Sequence, residues 1–238
     1  MRVALTIRRP ALVLAAFAFS LIALLPLRVA MAWLGAGDYG LAAREASGSV
    51  WLGALKEAQL GPVPLGDVTA RLNSLPLLLG RARISLTRES DADPFEGAVT
   101  MSRHSFGFDD ISGRLRLGPL LAPLPVSSLE LQDVSGGFSR GRCTRAAGMV
   151  RAAVAGEVSG IGTLSGFSGN PRCAEGALLL PLVSQTGLEQ LDIRLFADGR
   201  YRVALAVRPA DAAAQTGLAA AGFRPAGGFY VLSRDGRF

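Results

Sequence analysis

The stretch Leu191–Val207, LDIRLFADGRYRVALAV, decides the fold class. Leu191, Ile193 and Leu195 alternate with polar residues. Tyr201, Val203, Leu205 and Val207 then alternate with Arg202, Ala204, Ala206 and Arg208. A period of two puts one set on an apolar face and the other in water, which describes a half-buried strand. Asp198 and Gly199 stand between the runs, and Asp-Gly is a strong hairpin signal because both residues of such a turn take positive φ. The same alternation recurs in RISLT (Ile84, Leu86), GRLRLG (Leu115, Leu117) and SLELQ (Leu129, Leu131), with Gly, Pro and Asp between the runs. The pattern predicts an antiparallel meander with few helices. One helix is expected near Ala210–Ala221, with Asp211 in its first turn, Gly222 capping its end and Pro225 beyond. NSLPLLLG suits a short helical turn. The openings Gly48-Ser49-Val50 and Gly97-Ala98-Val99 hint at halves spanning 45–135 and 136–238. A sheet with one apolar face must cover it. The face from Leu191 to Val207 therefore lies against a core or lines a groove for an apolar partner.

The N-terminal stretch sets the compartment. From Ala11 to Leu27 there are 17 uncharged residues, roughly 26 Å of helix against a bilayer core of about 30 Å. Arg28 can snorkel, and the uncharged run continues past Trp33 to Asp38. Ala30-Met31-Ala32 also fits a signal-peptidase site. Length favours a retained anchor over a cleaved signal. The expected layout is a cytosolic tail at 1–9, a transmembrane anchor at 10–33 and an exported β-rich domain at 34–238. Arg2, Arg8 and Arg9 precede the apolar run and keep the N-terminus in the cytosol.

Composition narrows the function classes. The chain has 238 residues, 50% hydrophobic and 18% charged, with net charge +6. That fits a folded exported domain and excludes a solvated disordered chain. The charge comes almost wholly from scattered arginines, Lys56 being the only lysine. No basic stripe marks a nucleic-acid surface, so no nucleic-acid partner is expected. The two cysteines, Cys143 and Cys173, suggest a disulfide in an exported domain; a metal pair and two buried thiols are the alternatives, although zinc needs further ligands.

Catalytic motifs are incomplete. Gly137–Gly141 reads G-x-S-x-G around Ser139, but no helix pattern follows and the sole histidine, His104, lies upstream. That stretch and the overlapping DVSGG read as a glycine-serine turn. Glu89, Asp91 and Asp93 lack the glycine and terminal glutamate of a calcium loop. Asp109-Asp110 reads as a solvated strand start, and Gly160–Gly166 lacks dinucleotide-binding spacing. No catalytic, metal or cofactor residue is expected, and no cofactor.

Several segments together resemble the protein N family of the bacterial type II secretion system. They are LLPLRVAMAWL, the run ASGSVWLGALKEAQLGPVPLGDVTARLNSLPLLLGRARISL, CTRAAG, NPRCAEGALLLPL and the stretch from Leu191 to Phe238. Two packing positions depart from that pattern: Ala70 stands where a tryptophan is expected, and Phe229-Tyr230 follows Gly-Gly where a tyrosine is expected. The resemblance implies a single-pass bacterial inner-membrane protein, not an enzyme, with its bulk in the periplasm. Its implied role is to support export of folded proteins across the outer membrane through contacts with other secretion subunits. It also implies a curved sheet similar to AsmA-like periplasmic proteins. From that likeness comes the alternative, a lipid-binding or phospholipid-transfer protein.

Overall fold

The structure is a computed structural model and describes residues 9–33, 41–61, 63–90, 93–117, 121–122, 124–154, 157–158, 162–163 and 166–237. The expected tail at 1–9 therefore lies, Arg9 apart, outside the described residues, as do Asp91 and most of Gly160–Gly166.

Helix α1 (Arg9–Ala23) and helix α2 (Leu27–Trp33) come first. They are parted at Pro26, whose missing N–H and bulky ring interrupt a helix. Among the described residues no helix is long and apolar enough to cross a membrane. The 15 residues of α1 span about 22 Å. Leu12, Val13, Leu14 and Phe17 are exposed on it. The joint between the helices is fixed to the sheet. Val50 donates its N–H to the Leu25 carbonyl at 3.0 Å, and Pro26 forms an isolated β-bridge with Ser49.

The strands follow in chain order. The first nine are β1 (Leu41–Ala42), β2 (Glu45–Gly48), β3 (Gly53–Leu60), β4 (Val63–Asn73), β5 (Arg81–Arg88), β6 (Phe95–Ser102), β7 (Ser105–Arg116), β8 (Val126–Ser139) and β9 (Arg142–Val154). Then come β10 (Glu157–Val158), β11 (Gly162–Thr163), β12 (Phe167–Gly169), β13 (Arg172–Ala174), β14 (Ala177–Ser184), β15 (Glu189–Leu195), β16 (Arg200–Val207), β17 (Arg224–Ala226) and β18 (Phe229–Arg237). Helix α3 (Ser74–Leu77) joins β4 to β5, and helix α4 (Ala212–Ala220) joins β16 to β17. One antiparallel sheet holds 16 strands, and β10 and β11 pair by themselves. Neighbours in the sheet are nearly always neighbours in sequence, as the alternating runs require. The sheet continues through residues 135 and 136, which lie inside β8.

Several bulges interrupt it, and three of them are marked by non-glycine residues at positive φ. Glu57, Asp110 and Asp133 adopt φ of 49, 52 and 50°, at or beside register shifts in β3, β7 and β8. A bulge frees a backbone N–H and increases local twist. Here each freed donor finds a side chain on the next strand. Glu57 donates to Asp67, Asp110 to the Ser135 hydroxyl, and Asp133 to the Ser112 hydroxyl. Asp110, expected as part of a solvated strand start, is exposed as expected but sits at a bulge in mid-strand.

The hairpin after β15 corrects a detail of the sequence reading. Gly199 has φ 81°, but Asp198 has no positive φ. The Gly199 N–H bonds the Phe196 carbonyl at 3.1 Å, and the Phe196 N–H bonds the Arg200 carbonyl at 2.9 Å. This is a three-residue loop in which glycine alone takes the left-handed position.

Helix α4 begins where Asp211 accepts from the Ala214 N–H at 2.7 Å. At its end Gly222 has φ 88°, the Gly222 N–H returns to the Ala219 carbonyl, and the Phe223 N–H returns to the Leu218 carbonyl. That pair of bonds is a Schellman stop. It buries Leu218 and Phe223 together in the main core.

Candidate functional site

Cross-strand register fixes which side chains share the inner face. Val203 pairs with Ile193, and Ile193 with Leu180; Leu205 pairs with Leu191, and Leu191 with Leu182. Leu191, Ile193, Tyr201, Val203, Leu205 and Val207 are all at most 5% exposed. Leu195 sits half-buried at the margin of the same cluster. The sheet curves until these residues meet Val126, Leu129 and Val150, and α4 adds Leu218. Over β8 to β18 the inner face is therefore packed core rather than an open groove.

The same face is less covered over β5 to β7. Leu72, Ile84, Val99 and Phe108 form one cross-strand row, and all four are only half-buried. In the next row Met101 and Phe106 are paired, 42% and 39% exposed. Phe106 stacks on Phe138 with ring centroids 4.9 Å apart. Helix α2 covers the face on one side of this stretch, where Leu27 and Met31 pack on Leu55, Ala58 and Val68. On the far side the face joins the main core through Phe108. The partial exposure of the side chains in these two rows leaves the stretch between incompletely covered.

Gly136 and Gly137 explain the junction. They lie inside β8, not in the glycine-serine turn expected from sequence; only Arg140 and Gly141 form the turn. A Cβ on Gly136 would come within 2.5 Å of the Phe108 ring, so glycine lets that ring lie on the strand. Across the bare backbone of Gly137 the Arg145 side chain crosses the outer face.

That arginine reaches a buried carboxylate. Asp109 is 7% exposed and accepts from Arg83 at 2.8 Å, from Thr100 at 2.9 Å and from Arg145. Burial pushes the Asp109 carboxyl up, but the hydrogen bond from Arg145, the one from Thr100 and the two positive charges prevail, and it titrates below the usual carboxylate range. Asp109 thus clamps β5, β6, β7 and β9 together. It had read as a solvated strand start, because only the topology brings Arg83 and Arg145 to it.

Cys143 and Cys173 are joined in a disulfide with Cα atoms 5.5 Å apart. It ties β9 to β13, and the Cys143 N–H reinforces the link through the Gly176 carbonyl at 2.8 Å. Ser139 ends β8 and His104 lies in the neighbouring β6–β7 turn, where the Arg140 N–H bonds the His104 carbonyl at 3.1 Å. Among the described residues no hydrogen bond joins the two side chains, and no group of three or more His, Cys, Asp or Glu side chains could hold a metal. Among the described residues the arrangement offers an apolar surface and arginines.

Sequence reading passed over one exposed feature. Leu75, Leu78 and Leu79, in and after α3, are 77, 85 and 79% exposed. In sequence, LPLLLG suggests only a helical turn. The signal available was four leucines close together with no polar residue among them.

No curated protein and no solved structure matches the chain. The family model for type II secretion system protein N matches residues 39–233, which takes in nearly the whole sheet. By that match the chain belongs to the type II secretion system protein N family, a secretion-system component rather than an enzyme family.

Proposed function

We propose that the chain is an accessory subunit of the type II secretion machinery that supports export of folded proteins across the outer membrane. It sits at the inner membrane by its N-terminal apolar segment, with the sheet in the periplasm, and acts through contacts with other secretion subunits. The family match over residues 39–233 carries this reading. The arginines ahead of the apolar run and the disulfide support the orientation and the oxidising compartment. Covalent chemistry plays no part in this reading. The test is affinity purification of the full chain from gently solubilised native membranes. Other secretion subunits should co-purify in stoichiometric amounts, and their absence would count against the assembly role.

The half-buried row Leu72, Ile84, Val99 and Phe108 favours a second reading. In it the inner face over β5 to β7 holds a phospholipid acyl chain, as a lipid-binding or lipid-transfer protein would. Organic extraction of the purified chain should then release phospholipid in proportion to protein, and a lipid-free preparation would dismiss it.

A further inference from the structure

Several features gather at one end of the sheet. Gly53 pairs with Ala70, so the turn before β3 and the α3 loop after β4 emerge side by side. Trp51 lines one shallow hollow with Leu75 and Pro76. The joint between α1 and α2 is held to this same turn through Ser49 and Val50, so the C-terminal end of the apolar α1 lies at this end. The turns between β6 and β7 and between β8 and β9 also fall here, because Arg81 pairs with Ser102 and Ser105 with Ser139.

Charge at this end from α3 to the β8–β9 turn is positive, and the one carboxylate in the adjoining β13–β14 turn, Glu175, pairs with Arg194. Residues 72–86, 101–107 and 136–149 contain six arginines and no carboxylate. Arg83 and Arg145 pair with Asp109. Arg81, Arg103, Arg140 and Arg142 are exposed, and none is in an ion pair among the described residues. Exposed leucines beside unpaired arginines match the chemistry of a bilayer interface, where apolar side chains enter the headgroup boundary and guanidinium groups meet phosphate. Water alone gives three leucines within five residues no reason to stay exposed.

We propose that this end of the sheet rests on an anionic phospholipid bilayer. Leu75, Leu78 and Leu79 enter the headgroup boundary, and Arg81, Arg103, Arg140 and Arg142 contact lipid phosphates. The inference rests on the membrane location given above and adds a second contact, made by the folded domain itself. It sets the sheet upright on the membrane, with the turn at Leu188 far from it.

The test uses the full chain in vesicles of phosphatidylcholine with about one third phosphatidylglycerol, a composition with net negative surface potential. A nitroxide is placed at Leu78→Cys, and in a second variant at Leu188→Cys, an exposed position at the opposite end of the sheet. Relaxation by oxygen and by a water-soluble nickel chelate reads depth. The label at 78 should favour oxygen and the label at 188 nickel, and the label at 78 should shift toward nickel in vesicles of phosphatidylcholine alone. A chain that floats with the vesicles while the label at 78 stays as aqueous as that at 188 would overturn the inference alone; a loop that docks on another secretion subunit would give that result. A chain that fails to float would overturn the membrane location as well. Equal immersion in neutral vesicles would overturn the role of the arginines.

Discussion

At the residue scale, Leu205 and Ile84 mark two states of one face. Leu205 is 1% exposed in the main core. Replacing it with Asp buries an unpaired carboxylate, and a loss of about 4 kcal/mol or more is expected. Ile84 is half-buried on the incompletely covered stretch, where a carboxylate can reach water. Chemical denaturation should show Leu205→Asp unfolded or barely folded and Ile84→Asp cooperative with a much smaller loss. Equal losses would mean that both stretches are dry. Asp109 gives a pH-dependent expectation. Its folded carboxyl titrates below its unfolded value, which is about 3.9. The stabilisation is therefore complete above the unfolded value and disappears as pH falls through the folded one. Asp109→Asn should cost about 1–2 kcal/mol at neutral pH, since Arg145 is largely solvated and part of the attraction is screened. The gap from wild type should close from about pH 4 downward; a gap that widens there would place the destabilising charge elsewhere.

At the element scale, the disulfide and α2 act as clips on opposite halves of the sheet. The cysteines are 30 residues apart, and loop-closure entropy assigns such a bond about 3–4 kcal/mol. Cys143→Ser should lower the denaturant midpoint accordingly, and reductant should then have no further effect. Helix α2 lies so close to β3 that a Cβ on Gly53 would come within 2.5 Å of the Leu27 side chain and 3.0 Å of two backbone oxygens. Gly53→Leu should dislodge α2. Limited proteolysis should then cut between α2 and β1 while the core from β14 to β18 melts nearly unchanged. The strands around Leu191–Val207 and the α4 caps were legible in sequence because period, turn residues and caps are local signals. The Asp198 geometry was not, since two-residue and three-residue hairpin loops both accept Asp-Gly. The break at Pro26 also escaped notice, because a count of uncharged residues ignores what proline does to a helix.

At the scale of the whole molecule, hydrophobic alternation set the meander but not where its face is dry. Leu191 to Val207 and Leu72 to Phe108 alternate alike, and only the curvature of the sheet and the position of α4 distinguish core from incompletely covered surface. The clamp at Asp109 was hidden for a related reason: its partners lie 26 and 36 residues away. The disulfide was legible from the even cysteine count together with the expectation of an exported domain. The secretion role was legible only through resemblance, since no single side-chain cluster encodes it. The proposed role in type II secretion, without covalent chemistry, is open to test by export in a producing bacterium. Cells lacking the chain should retain type II substrates in the periplasm. Wild type and the Ser139→Ala and His104→Ala variants should all restore their release to the medium. Undiminished export without the chain, or loss of export with a folded and abundant Ser139→Ala protein, would rule that role out.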